Sequence, residues 1–283
     1  MQNILVPTDF SSNAMKAFCY AGEIAQKSGA GILLLHVIEP AADRIRQPHP
    51  LHEKLEKEIA QARNEDLEIF QKSFADIYPG VHVKVVTAKG AVIHSIVETA
   101  EDNKVDLVVM GTTGASGLKE FFIGSVTAGV IGKTKIPLLT VPAVYEVEEP
   151  DGILLATNRF EEDRSVLEPV IELARLFNAT VHVMVFVDTD KAEAVEYLDN
   201  ARHLHKYMEF LKKHFTGVGF EGEVLDGELF EETLDIYYTD KKLDIIAMIT
   251  YPKSGFDRLL RKSQTKRVAY HSIIPLLAIP ANQ

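Results

Sequence analysis

Several features that would classify this chain quickly are missing. It has one cysteine, Cys19, so no disulfide can form within it. Cys19 falls on the apolar stripe of a predicted helix and reads as a small core residue rather than a nucleophile. No stretch approaches the ~20 apolar residues of a membrane span, and MQNILVPTDF at the start has no basic region leading into a long apolar run. A cytoplasmic location is the expectation. Positive charge is scarce: 30 Lys and Arg stand against 41 Asp and Glu, a formal net charge of -11. That argues against nucleic acid or an anionic membrane as partner, since both demand a positive face. It leaves room for one nucleotide in a local cradle, because surface charge is screened beyond about 8–10 Å.

What is present centres on VDLVVMGTTGASGLKEFFIGSVTAGVIGKTKIPLLTVP, Val105 to Pro142. It reads as a buried strand over Leu107 to Met110, a glycine-rich loop, a helix from near Ser125 and a second buried strand over Leu138 to Val141. Two residues separate Gly111 from Gly114, nine separate Gly114 from Gly124, and Ser125 follows. Glycines let a backbone approach a ligand with its N–H groups inward, and a helix start adds donors and partial positive charge. This is phosphate-cradle chemistry, though neither of the commoner kinds. A Walker loop ends in Gly-Lys-Ser/Thr, and a Rossmann turn carries G-x-G-x-x-G just after the first strand.

In chain order, Asn3 to Pro7 is an apolar strand of the sort buried on both faces of a parallel sheet. A helix capped by Ser11 or Ser12 follows to about Lys27, then a strand over Gly31 to Val37, a loop over Ile38 to Pro50 and a long amphipathic helix from Leu51. Val81 to Val86 alternates like a strand, and Ile93 to Asn103 reads as a helix. With the glycine stretch the order is βαβαβαβαβ, which right-handed crossovers turn into a parallel sheet covered by helices. Ligands of such sheets sit at the carboxyl ends of strands, where Asp9 and Gly111 fall.

After Tyr145 to Asp151 the pattern begins again, with strands at Gly152 to Ala156, Thr180 to Val187, Phe220 to Leu225 and Ile245 to Ile249. Helices are predicted over Asp163 to Phe177, Ala194 to His214 and Phe230 to Lys241. KKLDIIAMIT answers NKVDLVVMGT, and IPLLAIP answers IPLLTVP. At about 140 residues per copy each repeat is a domain, not a solenoid unit. The expected division is 1–145 and 151–283. At 283 residues, with 46% hydrophobic and 25% charged residues, both can bury a core.

The spacing of Gly111, Gly114, Gly124 and Ser125 resembles the ATP-binding signature of the universal stress protein family. ILVPTDFS, LLLHVIEP, DLVVMGTTG and IPLLTVP support it in the family's order. The resemblance implies a fold class: α/β, two tandem doubly wound parallel-sheet domains of the adenine nucleotide alpha hydrolase-like kind, arranged as a pseudo-dimer. It also implies ATP as ligand, with Mg2+. Pro7, Thr8, Asp9 and Val37 would hold adenosine; Met110, Gly111, Gly114, Gly124, Ser125 and Val126 would surround ribose and phosphates. Asp9 can accept hydrogen bonds from a ribose or help hold a hydrated cation, and Ser125 can cap its helix while touching phosphate. His36 reads as a strand histidine and His49 with His52 as loop decoration, since two histidines make a poor zinc site. Family members often dimerise through each domain's last strand, so the two final strands here are expected to pair within the chain; a homodimer of chains is a further expectation.

The second copy departs where the ligand would sit. An offset of 138 puts Ile249, Pro252 and Lys262 at the positions of Gly111, Gly114 and Gly124, and the first-strand match puts Asn158 at Asp9. ATP binding is expected to be lost there. Between Thr250 and Arg267 stand six basic residues, Lys253, Arg258, Arg261, Lys262, Lys266 and Arg267, against Asp257, either a solvated basic face or a site for another anion. Three functions follow: a regulatory ATP-binding protein whose occupied state is read by a protein partner or by the domain interface; a slow ATP hydrolase or phosphoryl transferase; and a nucleotide-independent interaction module. Lys119 is the only basic residue inside the glycine loop and no base is evident beside it, so efficient phosphoryl transfer is not indicated.

Overall fold

The computed structural model describes residues 1–39, 50–112, 124–190, 194–251 and 273–281. The first half runs β1 (Asn3–Pro7), α1 (Ser12–Ser28), β2 (Gly31–Ile38), α2 (Pro50–Ile77), β3 (Val83–Lys89), α3 (Val92–Asp102), β4 (Leu107–Gly111), α4 (Ser125–Ile131) and β5 (Leu138–Val141). The second runs β6 (Gly152–Ala156), α5 (Arg164–Phe177), β7 (Thr180–Asp188), α6 (Ala194–His214), β8 (Gly219–Gly227), α7 (Phe230–Lys241), β9 (Ile245–Thr250) and β10 (Leu276–Pro280).

All ten described strands form one sheet in the order β3-β2-β1-β4-β5-β10-β9-β6-β7-β8. Within each half every described pairing is parallel, and only β5 with β10 is antiparallel. The expected strand runs are therefore right in kind: Ile4, Leu5 and Val6 are wholly buried, as a strand covered on both faces must be. One face packs against α1, α2, α5 and α6 through Phe18, Phe74, Val170 and Leu211. The other packs against α3, α4 and α7 through Ile96, Val130 and Leu234.

Local signals place the helix ends. Ser11 caps α1 by accepting from the Ala14 amide, and Gly29 closes it at a left-handed φ of 74°. Asp163 caps α5, and Asn178 closes it with φ 56°. Two strands differ from the sequence reading. β3 begins at Val83 because Val81 donates to Tyr78 in the preceding turn, and β8 extends to Gly219–Gly227 because it pairs with all nine residues of β7. Such non-local pairing overrides local pattern.

The halves join edge to edge, as the pseudo-dimer expectation requires. Leu276, Leu277 and Ala278 lie opposite Thr140, Leu139 and Leu138. Thr140 Oγ1 donates to the Leu276 carbonyl across the seam at 3.4 Å. On the α1 side, Lys16 Nζ donates to the carbonyls of Ala143 (2.5 Å) and Tyr145 (3.1 Å), tying the connecting segment down. Lys27 pairs with Glu149 at 2.9 Å and sits 5.5 Å from the Phe177 ring centre. The pairing consumes the β5 and β10 edges that would otherwise be open.

Candidate functional site

In each half the chain leaves the central strand in one direction for two strands, then returns to its other side. The strand order therefore reverses between β1 and β4, and again between β6 and β9. The carboxyl ends of these strands form the crevice where doubly wound sheets take ligands. Pro7, Thr8 and Asp9 stand at the end of β1, Val37 near the end of β2, and Met110 and Gly111 at the end of β4.

The β1 end is tightly specified. The Thr8 amide donates to the Leu35 carbonyl at 2.8 Å, one residue past the strand. Thr8 Oγ1 accepts from the Phe10 amide at 3.0 Å, and Asp9 Oδ1 from the Ser11 amide at 3.1 Å. Phe10 holds a left-handed φ of 65°, uncommon for an aromatic residue and a sign that its surroundings over-determine the turn. Asp9 is exposed, Thr8 buried and Pro7 half-buried.

The β4 end is anchored by residues the sequence did not single out. Thr112 donates to the Val141 carbonyl at 3.0 Å, and the Gly124 amide donates to the Thr112 carbonyl, so the loop departs and returns at one point. Thr127 Oγ1 donates to the Gly111 carbonyl at 2.9 Å, fixing α4 on β4. Gly111 has a packing reason to lack a side chain: an added Cβ would lie 2.6 Å from Nδ2 of the buried Asn13.

One expectation is corrected. Ser125 does not cap α4; Gly124 occupies the cap position, and Ser125 is the first helical residue, exposed. With φ at -63°, Gly124 needs no glycine for its backbone angle. Because α4 is only seven residues long, any phosphate contact here would rest on individual amides more than on a helix dipole. Val126 is half-buried one residue on. Gly114 and Lys119 lie outside the described residues, as do His49 and the basic stretch from Lys253 to Arg267.

Met110 is buried beneath the crevice. His36 is buried in β2, its Nδ1 2.9 Å from the Thr8 carbonyl. Cys19 is half-buried against the α1 face, and burial raises its thiol pKa, which suits the core role over a nucleophile. Among the described residues no three His, Cys, Asp or Glu side chains gather to hold a metal.

The second crevice is built alike and filled differently. Thr157 donates to the Met184 carbonyl at 2.9 Å, as Thr8 does to Leu35. The register sets Ile249 opposite Ile279 as it sets Gly111 opposite Val141, so Ile249 does hold the Gly111 position. At the β9 end Tyr251 donates to Glu161 Oε2 at 3.0 Å, and the Arg159 guanidinium lies 4.3 Å from the Tyr251 ring centre. Burial first, and the bond to Glu161 second, push the Tyr251 phenol pKa well up. A bridge of side chains thus joins the β6 and β9 ends.

Fold and site together define a tandem of two doubly wound domains with strand-end crevices, joined through their last strands. A model of the Universal stress protein family matches residues 1–142 and again 151–280, so the chain belongs to that family. A universal stress protein of Methanocaldococcus jannaschii is 30% identical over 154 residues, covering 50% of this chain and 94% of its own length. One from Thermus aquaticus is 30% identical over 141 residues, covering 50% and 98%. Each is about one domain long. The crystal structure of a universal stress protein from Archaeoglobus fulgidus matches both halves, with TM-score 0.72, 18% identity and coverage of 99% and 97%. No helix among the described residues is long and apolar enough to cross a membrane.

Proposed function

We propose that this chain is a regulatory ATP-binding protein that holds one nucleotide, with Mg2+, in the domain of residues 1–145, while 151–283 carries a degenerate copy. The supporting observation is the convergence at one switch point of Pro7, Thr8 and Asp9 with Val37, Met110 and Gly111, and with Gly124 returning to Thr112. The residues fit a nucleotide. The Val37 backbone, opposite Ala88 of β3 and two residues past the last β1 pairing, can offer groups to an adenine edge, the exposed Asp9 carboxylate suits a ribose or hydrated Mg2+, and Ser125 is exposed. ATP would bring its own divalent charge; the chain's part is to bind, orient and report. Gly114 and Val126 complete the proposed set on the strength of the family signature. Occupancy would be read by a protein partner or at the seam, which α1 reaches through Lys16.

The test is mass spectrometry of small molecules released from freshly purified protein, with calorimetric titration of ATP and Mg2+. About one ATP per chain supports the reading. Neither co-purified nucleotide nor binding heat at several temperatures would overturn it in favour of a nucleotide-independent interaction module.

A further inference from the structure

We propose that His36 is a positioning residue for the first crevice, holding the Thr8–Asp9 peptide in the orientation that a ligand requires; this rests on the nucleotide reading above. A carbonyl oxygen only accepts, so at 2.9 Å from Thr8 O the His36 Nδ1 is the protonated ring nitrogen and donates. The carbonyl it holds belongs to the peptide unit that carries the Asp9 amide. Phe10 lies on the imidazole with ring centres 4.6 Å apart, and packs edge-on to Phe70 at 6.0 Å. His36 therefore clamps both sides of Asp9: the carbonyl before it by a hydrogen bond, and the left-handed residue after it by ring contact.

The second domain provides an internal control. The Thr8 amide donates to Leu35 and the Thr157 amide to Met184, so the residue after each acceptor is equivalent: His36 in the first copy, Val185 in the second. Val185 is wholly buried, and the Arg159 amide still donates to Thr157 Oγ1 at 3.3 Å as the Phe10 amide does to Thr8 Oγ1, but the left-handed residue falls one position later, at Phe160 with φ 50°. Without the imidazole the chain still turns after Thr157, but with its left-handed residue one position later than in the first copy. The copy that has the histidine has Asp9 and Gly111; the copy with valine has Asn158 and Ile249. The imidazole accompanies the ligand residues, not the fold.

The test is ATP titration by calorimetry, with thermal midpoints, on the full chain and on His36→Val and His36→Asn. Asparagine places an N–H near the position of Nδ1 and keeps the donor. His36→Val is expected to bind ATP roughly five- to thirty-fold more weakly, because the unheld Thr8–Asp9 peptide leaves its binding orientation, and to show a lowered thermal midpoint, because the Thr8 carbonyl loses its donor in the free chain as well. His36→Asn is expected to recover most of the affinity. Wild-type affinity in His36→Val, equal weakening in both variants, or failure of His36→Val to fold would each overturn the positioning role while ATP binding by the parent chain stands. Absence of ATP binding by the parent chain would remove the nucleotide reading itself, and this inference with it.

Discussion

Leu139 and Leu277 lie opposite each other in the antiparallel pair β5–β10, both wholly buried. They hold equivalent places in IPLLTVP and IPLLAIP, so the seam joins the two copies edge to edge about a local twofold axis. Truncating either removes core contact from one continuous sheet. Leu139→Ala and Leu277→Ala are each expected to cost about 2–5 kcal/mol, the range for buried leucines, and chemical denaturation should show both halves losing stability together. Loss confined to the mutated half would refute a shared seam.

The two described signature glycines separate packing from binding. Gly111→Ala would press a methyl group to 2.6 Å from Asn13 Nδ2 and 3.1 Å from the Asn13 carbonyl, so it is expected to cost about 1–3 kcal/mol of stability as well as ATP affinity. Gly124 is half-buried with an ordinary φ of -63°. Gly124→Lys, which copies Lys262, should abolish ATP binding with little stability change. Unfolding curves paired with titration separate the cases; ATP binding by Gly124→Lys at parental strength would sink the cradle assignment.

Most strands and helices were legible because their signals are local: apolar runs buried on both faces, Ser11 and Asp163 as caps, Gly29 and Asn178 as stops. That Asp9 and Gly111 fall at strand carboxyl ends followed from element order, whereas the reversal between β1 and β4 came from the strand order of the sheet. Contacts between distant segments were not legible. Nothing in the sequence shows that Thr127 holds the Gly111 carbonyl, that Gly111 faces Asn13, or that Tyr251 reaches Glu161 across 90 residues. The Ser125 cap was misread by one position: a serine at a helix start signals a cap, but here the loop closes on Thr112 through Gly124, one residue sooner.

His182 gives the second domain a pH dependence. Burial lowers its pKa from the ordinary 6.5, and Lys241 acts the same way. Glu221, 3.5 Å away, and Glu223 oppose them, but Glu221 is mostly exposed and screened. Below pH 6.5 the unfolded chain therefore binds this proton more readily than the folded one. The contribution is fully present above pH 6.5 and is lost as pH falls through that value toward the lower folded pKa. The stability difference between the parent chain and His182→Gln should shift against the parent as pH drops from about 7.5 to 5.5. Denaturant midpoints at several pH values measure it, and a pH-independent difference would refute it.

Removing the side-chain bridge in the second crevice tests why that domain is expected to hold no nucleotide. Two differences from the first copy are candidates: the Arg159, Tyr251 and Glu161 bridge in the crevice, and, in the sequence, Ile249, Pro252 and Lys262 in place of the signature glycines. Tyr251→Ala removes the first and leaves the second. If missing glycine backbone donors are what matters, ATP stoichiometry should stay at about one per chain, and the variant should lose about 1 kcal/mol from the Glu161 hydrogen bond plus the smaller contribution of the Arg159 stacking. A rise toward two per chain would show instead that the bridge alone shuts the second crevice and that its backbone remains competent. Calorimetric stoichiometry decides between these, with Gly124→Lys in the same chain silencing the first site so that any remaining heat belongs to the second.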